Sequence, residues 1–551
     1  MRGLAIEADN AVLLNHRGVI AARLGDAVAA EAAYRRSIAV KPDDADTHFN
    51  LGNLLRAQQR PEEAEAAYRR AIALKPGYVE ACTNLGNLLQ AQQRSHEAEA
   101  VYRRVIAAKP KNAEAHLNLG NLLRAQNRSV EAEAAYRRAI IEKPDYAEAH
   151  SNLGVLLIEQ HRLEEAEAAY RRAIAVKPDD AVAHSNLGIL LQAKKHPEEA
   201  EAVYRRAIAL KPDNADAHWN LSLLLLKHGR FTEGWREFEA RYAPTLTARK
   251  MARPPISPGG PTLPPQWQGE PLTGQSLLVW PEQGLGDEIQ FVRYLPLLKA
   301  KGLKHLTLAC KAPLKTLFET QTVADRVISC EDWRPEMAAE FDFWCYPLSL
   351  PLHFGTTPDN IPAQIPYLIP AADRIARWET RLPKAAVRVG LVWKGSPTNK
   401  NDANRSLPSL APLAPLWSVP GIAFVSLQKG AGEDEANTPP ANQPLTHLGS
   451  DMADFADCAA ILIQLDLLIC VDTAVAHLAG ALGTPCWMLL PDYDSDWRWF
   501  EKRSDSPWYP KVLRLFRQTS DGDWKNVVAR VVVALRERMD YRPTRIMIRD
   551  E

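Results

Sequence analysis

Long apolar runs are missing from this chain of 551 residues. No stretch of about 18 apolar residues occurs, so no membrane span is expected. Net charge is missing too: 67 basic residues face 67 acidic ones. That removes the bulk positive field that drives nucleic-acid binding. Cysteine is scarce and unpatterned. The seven residues Cys82, Cys310, Cys330, Cys345, Cys458, Cys470 and Cys486 form an odd set without Cys-x-x-Cys spacing. They fit a reducing compartment and read as small buried hydrophobes rather than metal ligands. The opening segment Met1–Asp9 has no apolar core of signal-peptide length. These absences together lead us to expect a cytoplasmic protein without a membrane span, a metal or a nucleic-acid partner.

The length allows two to four domains. Residues 1–242 repeat themselves with a step of 34: Lys-Pro recurs from Lys41-Pro42 to Lys211-Pro212, tyrosine from Tyr34 to Tyr204, and glycine from Gly18 to Gly188. Within one unit Leu51, Gly52, Leu55, Ala64, Tyr68, Ala71 and Pro76 match the packing residues of the tetratricopeptide repeat, which the array resembles in step and residue type. Small Gly52 and Ala64 allow two helices to approach closely, and Pro76 ends the second helix. Six good repeats are followed by a seventh from about Ala215, in which Ser222 and Gly234 replace the usual glycine and alanine.

Two further columns keep the step. Asn50, Asn84, Asn118, Asn152, Asn186 and Asn220 fall on the inner face of the first helices. Each offers a donor and an acceptor, suited to clamping an extended peptide backbone, and a similar ladder is a feature of protein O-GlcNAc transferases. A plain scaffold role is the other reading. His48, His116, His150, His184 and His218 sit too far apart for one metal shell and read as packing.

A proline-rich connector is expected over 243–272, carrying Pro244, Pro254, Pro255, Pro258, Pro261, Pro264, Pro265 and Pro271. Strand and helix patterns then alternate, as in a parallel sheet covered by helices. A first lobe spans 273–383, with strands at Ser276–Trp280, His305–Ala309, Arg326–Ser329 and Phe341–Cys345. A second lobe spans 384–520, with strands at Val387–Trp393, Ile422–Leu427, Leu467–Val471 and Cys486–Leu490 and helices at Leu410–Trp417, Met452–Gln464 and Thr473–Leu482. The C-terminal segment 521–551 holds an amphipathic helix over Asp523–Met539.

Two strand-to-helix turns carry glycines or polar groups where helix N–H groups point into open space. The first is Trp280-Pro281-Glu282-Gln283-Gly284-Leu285-Gly286-Asp287; the second is Asp472-Thr473-Ala474-Val475-Ala476-His477, continuing to Gly483. On these two motifs, over about Trp267–Arg517, the chain resembles a GT-B glycosyltransferase, nearest the heptosyltransferase family. Joined to the repeats, the architecture is reminiscent of bacterial O-GlcNAc transferase-like proteins. The expected fold is thus an α-solenoid followed by two Rossmann-like lobes.

The resemblance implies a metal-independent, inverting glycosyltransferase that moves a hexosyl or heptosyl group from a nucleotide-diphosphate sugar. That sugar is a co-substrate, and no further cofactor is implied. Asp287 takes the role of base; the donor falls to Thr473, Ala474 and His477, with Asp472 either on a hydroxyl or shaping the turn. Lys394 and Arg405, in the loop with Ser396, both qualify to meet leaving-group charge, and Gln428 ends a strand at the same mouth. Trp497 and Arg498 follow the next strand, as ligand contacts or as core. The acceptor is a protein recruited by the repeats or, alternatively, a surface polysaccharide. A scaffold with a catalytically silent sugar-nucleotide domain is the reading from another class.

Overall fold

The computed structural model describes residues 10–247, 264–320, 323–399, 401–492, 495–520 and 522–540. Two compact units divide it, Met1–Pro212 and Asp213–Glu551.

The first unit is six helical hairpins. They pair α1 (Ala11–Arg23) with α2 (Ala27–Val40), α3 (Ala45–Ala57) with α4 (Pro61–Leu74), and α5 (Val79–Ala91) with α6 (Ser95–Ala108). The series continues with α7 (Ala113–Ala125) and α8 (Ser129–Glu142), α9 (Ala147–Glu159) and α10 (Leu163–Val176), and α11 (Ala181–Ala193) and α12 (Pro197–Leu210). Within each hairpin the tyrosine ring lies on the glycine of the partner helix. A Cβ on Gly120 would stand 2.6 Å from the Tyr136 ring, and one on Gly52 2.7 Å from that of Tyr68. The step-34 glycine is therefore a seat for the ring.

Each first helix is followed by a residue with left-handed backbone: Gly25 (φ 83°), Gln59 (58°), Gln93 (61°), Asn127 (59°), His161 (59°) and Lys195 (62°). The next residue's N–H reaches five residues back, as in Arg60 N to Leu55 O at 3.0 Å and Arg94 N to Leu89 O at 2.8 Å, the Schellman closure. That same arginine bridges neighbouring hairpins. Arg94 Nη1 lies 2.7 Å from Glu65 Oε2 and its Nε 2.7 Å from Glu97 Oε1; Arg60, Arg128 and Arg162 repeat the pattern. In the histidine column, expected as packing, Nε2 of His48, His116, His150 and His184 each meets the carbonyl of the proline six residues earlier, at 2.9–3.1 Å, while His218 pairs with Glu237 instead.

The second unit begins with a seventh hairpin, α13 (Ala215–Lys227) and α14 (Phe231–Phe238). The connector expected over 243–272 falls largely on 248–263, outside the described residues. Its end is no free linker: Trp267 is buried, and its N–H bonds to Trp344 O at 2.8 Å.

Two all-parallel sheets follow. The first has the order β3-β2-β1-β4, with β1 Ser276–Val279, β2 His305–Cys310, β3 Arg326–Ser329 and β4 Phe343–Cys345. The second has the order β10-β9-β8-β5-β6-β7, with β5 Val387–Val392, β6 Ile422–Ser426, β7 Leu445–His447, β8 Leu467–Val471, β9 Cys486–Leu490 and β10 Leu513–Arg517. In each sheet the order reverses beside its first strand, at β1/β4 and at β5/β8. Such a reversal opens a crevice at the carboxyl ends of the strands.

Neither β7 nor β10 was expected from the sequence: β7 is short and mixed, Leu-Thr-His, whereas β10, Leu-Arg-Leu-Phe-Arg, carries an apolar pattern that was passed over. The stretch expected as a helix over Leu410–Trp417 is a 3-10 segment, Ala411–Ser418, because Pro412 and Pro415 remove two amide donors. The helix after the first turn, α15 (Leu285–Phe291), likewise tightens into a 3-10 turn before Pro296. The terminal helix Trp524–Asp540 buries Val527, Val528, Val531 and Leu535 against the face of the second sheet that carries Val389, Leu391, Leu467 and Ile469.

Two opposite stability changes are expected in the array. Gly120→Ala forces the Tyr136 ring out of its seat and should lower stability by about 1–3 kcal/mol. Gln93→Gly relieves a left-handed non-glycine residue and should raise it by about 1 kcal/mol. Urea denaturation of the two variants beside the parent checks both signs.

Candidate functional site

The first turn leaves β1 at its carboxyl end and enters α15. Asp287 sits in the first turn of that helix and closes it on itself, Gly284 N lying 2.6 Å from Asp287 Oδ2. The second turn leaves β8 and enters α16 (Ala474–Leu482). The two turns face each other. A Cβ on Gly286 would stand 2.8 Å from His477 Cδ2 and 3.5 Å from Ala474 Cα, so only glycine permits this approach.

Between them lies Arg498, 4 % exposed. Its Nη2 grips Asp287 Oδ1, and its Nη1 lies 3.0 Å from both oxygens of Asp496. Burial pushes the Asp287 carboxyl up, and the Arg498 guanidinium opposes that shift. Asp472 accepts from Trp499 Nε1 at 2.9 Å, and burial followed by the neighbouring Asp496 raises its carboxyl as well. The imidazole of His477 meets the Tyr509 hydroxyl through Nδ1 at 2.9 Å. Burial, then Arg498 and Arg293, hold its pKa well below the usual value, so at neutral pH the ring is uncharged. Thr473 Oγ1 is buried and has no hydrogen-bond partner among the described residues. Arg293, buried behind His477 and Tyr509, bonds neutral oxygens: the carbonyls of Gln290 and Trp508 at 2.8 and 2.6 Å, and the Tyr367 hydroxyl at 2.8 Å.

The β5 loop contributes unevenly. Arg405 packs beside Gly395, whose Cβ would stand 2.7 Å from Arg405 Nη2, and its charge reaches Asp472. Lys394 instead points toward Glu435, at 3.6 Å. Ser396 is exposed and shares a bond with Thr398 at 2.8 Å. Gln428 is spent on the backbone. Its Oε1 accepts from the N–H groups of Trp393 and Lys394 at 2.9 and 3.1 Å, and its Nε2 donates to the carbonyls of Lys394 and Ala431 at 3.1 and 2.7 Å. It braces the loop rather than facing a ligand. Tyr509 had no sequence signal of its own, since it arrives from a distant segment; Arg293 and Asp496 stand beside the first turn and Arg498 but were not singled out.

The asparagine column is half-buried throughout. Asn84 Nδ2 donates to Asn53 Oδ1 at 2.7 Å and Asn152 Nδ2 to Asn121 Oδ1 at 2.9 Å, each across one repeat, while Asn50 reaches Asn15 at 3.0 Å. Asn118 Nδ2 is buried without a partner among the described residues. Asn186 and Asn220 hold the same register on α11 and α13. Beside this column runs a second, Asn53, Asn87 and Asn121, with Val19 in the first hairpin and Val155 and Ile189 in the fifth and sixth. Tyr68, Tyr102 and Tyr136 donate to these three amides at 2.8, 3.1 and 2.8 Å.

Models of the tetratricopeptide repeat match residues 15–79, 83–147 and 145–213, and a further TPR-repeat model matches 198–229. The N-terminal region is an array of tetratricopeptide repeats. Protein FlbA of Caulobacter vibrioides is 33 % identical over 334 residues, 57 % of this chain. The chain spans 54 % of that relative's length. Among solved structures, the TPR protein YrrB is 25 % identical over 34 % of this chain and 95 % of its own, with a TM-score of 0.28. A tetratricopeptide repeat protein from Parabacteroides merdae is 17 % identical over 43 % of this chain and 96 % of its own, with a TM-score of 0.37. TPR arrays point to a protein-interaction scaffold, with a peptide or protein as partner. Among the described residues no helix is long and apolar enough to cross a membrane.

Next to Asp287, Glu288 is 5 % exposed; Lys311 N donates to its Oε2 at 3.0 Å, and Lys311 Nζ is 3.4 Å from its Oε1. Burial lifts this carboxyl from its ordinary 4.5 to about 7, against the pull of Lys311. Between those values the native state holds a proton that the unfolded state has released, so the group's contribution to stability falls as pH rises from 4.5 to about 7. Glu288→Gln removes that fall. Paired thermal melts across this window should show the variant gaining on the parent as pH rises.

Proposed function

We propose that this protein is a protein-binding TPR scaffold whose α/β body is a metal-independent glycosyltransferase of the GT-B type. The observation that carries the reading is the meeting of two turns. Each lies at the order reversal of a parallel sheet, and Gly286 rests against His477. Ligands of open α/β sheets occupy such crevices.

The anionic donor suits this surface. The N-terminus of the helix Ala474–Leu482 directs its free N–H groups into the cleft, beside the unpartnered hydroxyl of Thr473. Arg405 and Arg498 stand on the same side, and the buried charge of Arg293 lies behind His477. With the Tyr509 hydroxyl donating to Nδ1, the neutral His477 ring offers an Nε2 proton toward the cleft. A diphosphate entering there competes with Asp287 for Arg498 and releases the carboxylate. The acceptor oxygen then bonds to the anomeric carbon as the bond from that carbon to the diphosphate breaks. Asp287 takes the acceptor's proton, and the nucleoside diphosphate leaves with both electrons of the broken bond. Inversion follows from attack opposite the leaving group. The acceptor is a protein drawn in along the asparagine column.

A second reading keeps the scaffold and drops the chemistry. It is favoured by the engagement of both Asp287 oxygens, one with Arg498 and one with Gly284 N, which leaves no free base in the absence of a ligand.

One experiment separates them. The full chain and its Asp287→Ala variant are screened against UDP-, GDP-, ADP- and CDP-sugars by thermal shift and by released nucleotide. The transferase reading expects one nucleotide class to raise the melting temperature of both proteins. It also expects turnover by the parent alone, the variant being slower by about 100-fold or more. A shift without turnover supports the silent scaffold, and no shift with any donor removes the sugar nucleotide from both readings.

A further inference from the structure

The seventh hairpin departs from its predecessors at two positions of the 34-residue step. Where Glu31, Glu65, Glu99, Glu133, Glu167 and Glu201 stand in the first six, the seventh has Trp235. Where those have buried Ser37, Ala71, Val105, Ala139, Ala173 and Ala207, the seventh has Arg241. Both changes face the α/β body. Trp235 meets Trp497 edge-on at 5.2 Å between ring centres, and Phe231 stacks on Phe500 and Trp508 at 5.8 and 5.9 Å. Arg241 is fully buried. Its Nε lies 2.8 Å from Glu282 Oε2, its Nη1 2.7 Å from Glu239 Oε1 and its Nη2 2.8 Å from Ser349 Oγ. The guanidinium is sandwiched by the rings of Phe238 and Tyr242, at 4.6 and 4.1 Å. Glu282 is just as buried, and its Oε1 accepts from Leu348 N at 3.1 Å.

These contacts end on the two segments that make the cleft. Glu282 belongs to the β1 turn, five residues before Asp287. Trp497 adjoins Arg498, which holds Asp287. We infer that the seventh hairpin is a positioning element of the candidate site, Arg241 setting the turn that carries Asp287 and the Trp235 face setting the segment that carries Arg498. An arginine and a glutamate stripped of water at this depth are stable only as a pair. The turn therefore cannot shift without carrying the end of the hairpin with it.

The test is hydrogen exchange on the full chain, which needs no turnover, so a lack of transferase activity leaves the inference standing. Arg241→Met strands the Glu282 carboxylate, and amides of 285–291 should exchange faster by about a hundredfold. Trp235→Glu, which restores the residue of the other repeats, should speed exchange at 497–500. Amides of Leu467–Val471 should keep the parental rate in both. The double variant Arg241→Met/Glu282→Gln removes both charges and should return 285–291 most of the way to the parental rate, a rescue that loss of packing alone does not give. Faster exchange confined to 231–242, with 285–291 and 497–500 as in the parent, overturns the inference. Should Arg241→Met loosen the whole unit, Glu239→Gln at the edge of the cluster is read instead. Parental exchange at 285–291 in that variant counts equally against it.

Discussion

A single guanidinium joins the parts of the cleft. Arg498 comes from the segment after β9, yet its bonds run to Asp287 in the first lobe and to Asp496 beside it. The carboxylates of Asp287, Asp472 and Asp496 crowd a space partly closed to water, where burial and the charge of Asp496 push the carboxyls of Asp287 and Asp472 up. Arg498 is what lets them coexist. Its hold on Asp287 also fixes how closely the two turns approach, since Gly286 is pressed against His477 by the same closure. Remove the cation, and the two sheets keep their strands while the shared crevice loses the contact that defines it.

The array is built on a different principle. No one contact dominates; a small set recurs along most of the array. A ring rests on a glycine, an arginine spans two glutamates of neighbouring hairpins, and a histidine meets a proline carbonyl. Nearest-neighbour contacts of this kind make stability a sum over repeats. The outer ion pairs are half-exposed and contribute little singly, so the ring-on-glycine seats and the buried leucines and alanines carry most of the cohesion. The seventh hairpin changes principle midway, exchanging the ion-pairing face for an aromatic one.

Much of this was legible in the sequence, for reasons that differ by region. The repeats announce themselves because each unit needs the same residues at the same step. The sheet strands were visible where both faces are buried, as in Leu467–Val471, and invisible where they are short and mixed, as in Leu445–His447. The two turns could be found because glycine and a helix start leave a local mark. Their partners were less legible: the place of Arg498 after a strand suggests a ligand contact, but its pairing with Asp287, 211 residues away, and the approach of Tyr509 to His477 have no local mark. Gln428 shows the opposite limit. A polar residue at a strand end looked outward by position, but the loop it braces uses every one of its hydrogen-bonding groups. The change at Trp235 and Arg241 was present in the 34-residue register, and comparing repeats column by column exposes it.

The second amide column occupies only Asn53, Asn87 and Asn121; Val19 stands before it and Val155 and Ile189 after it. An extended polypeptide laid along the array would meet paired amides over the second to fourth hairpins and an aliphatic edge on either side. That span of three hairpins bounds the length of backbone the paired amides can hold.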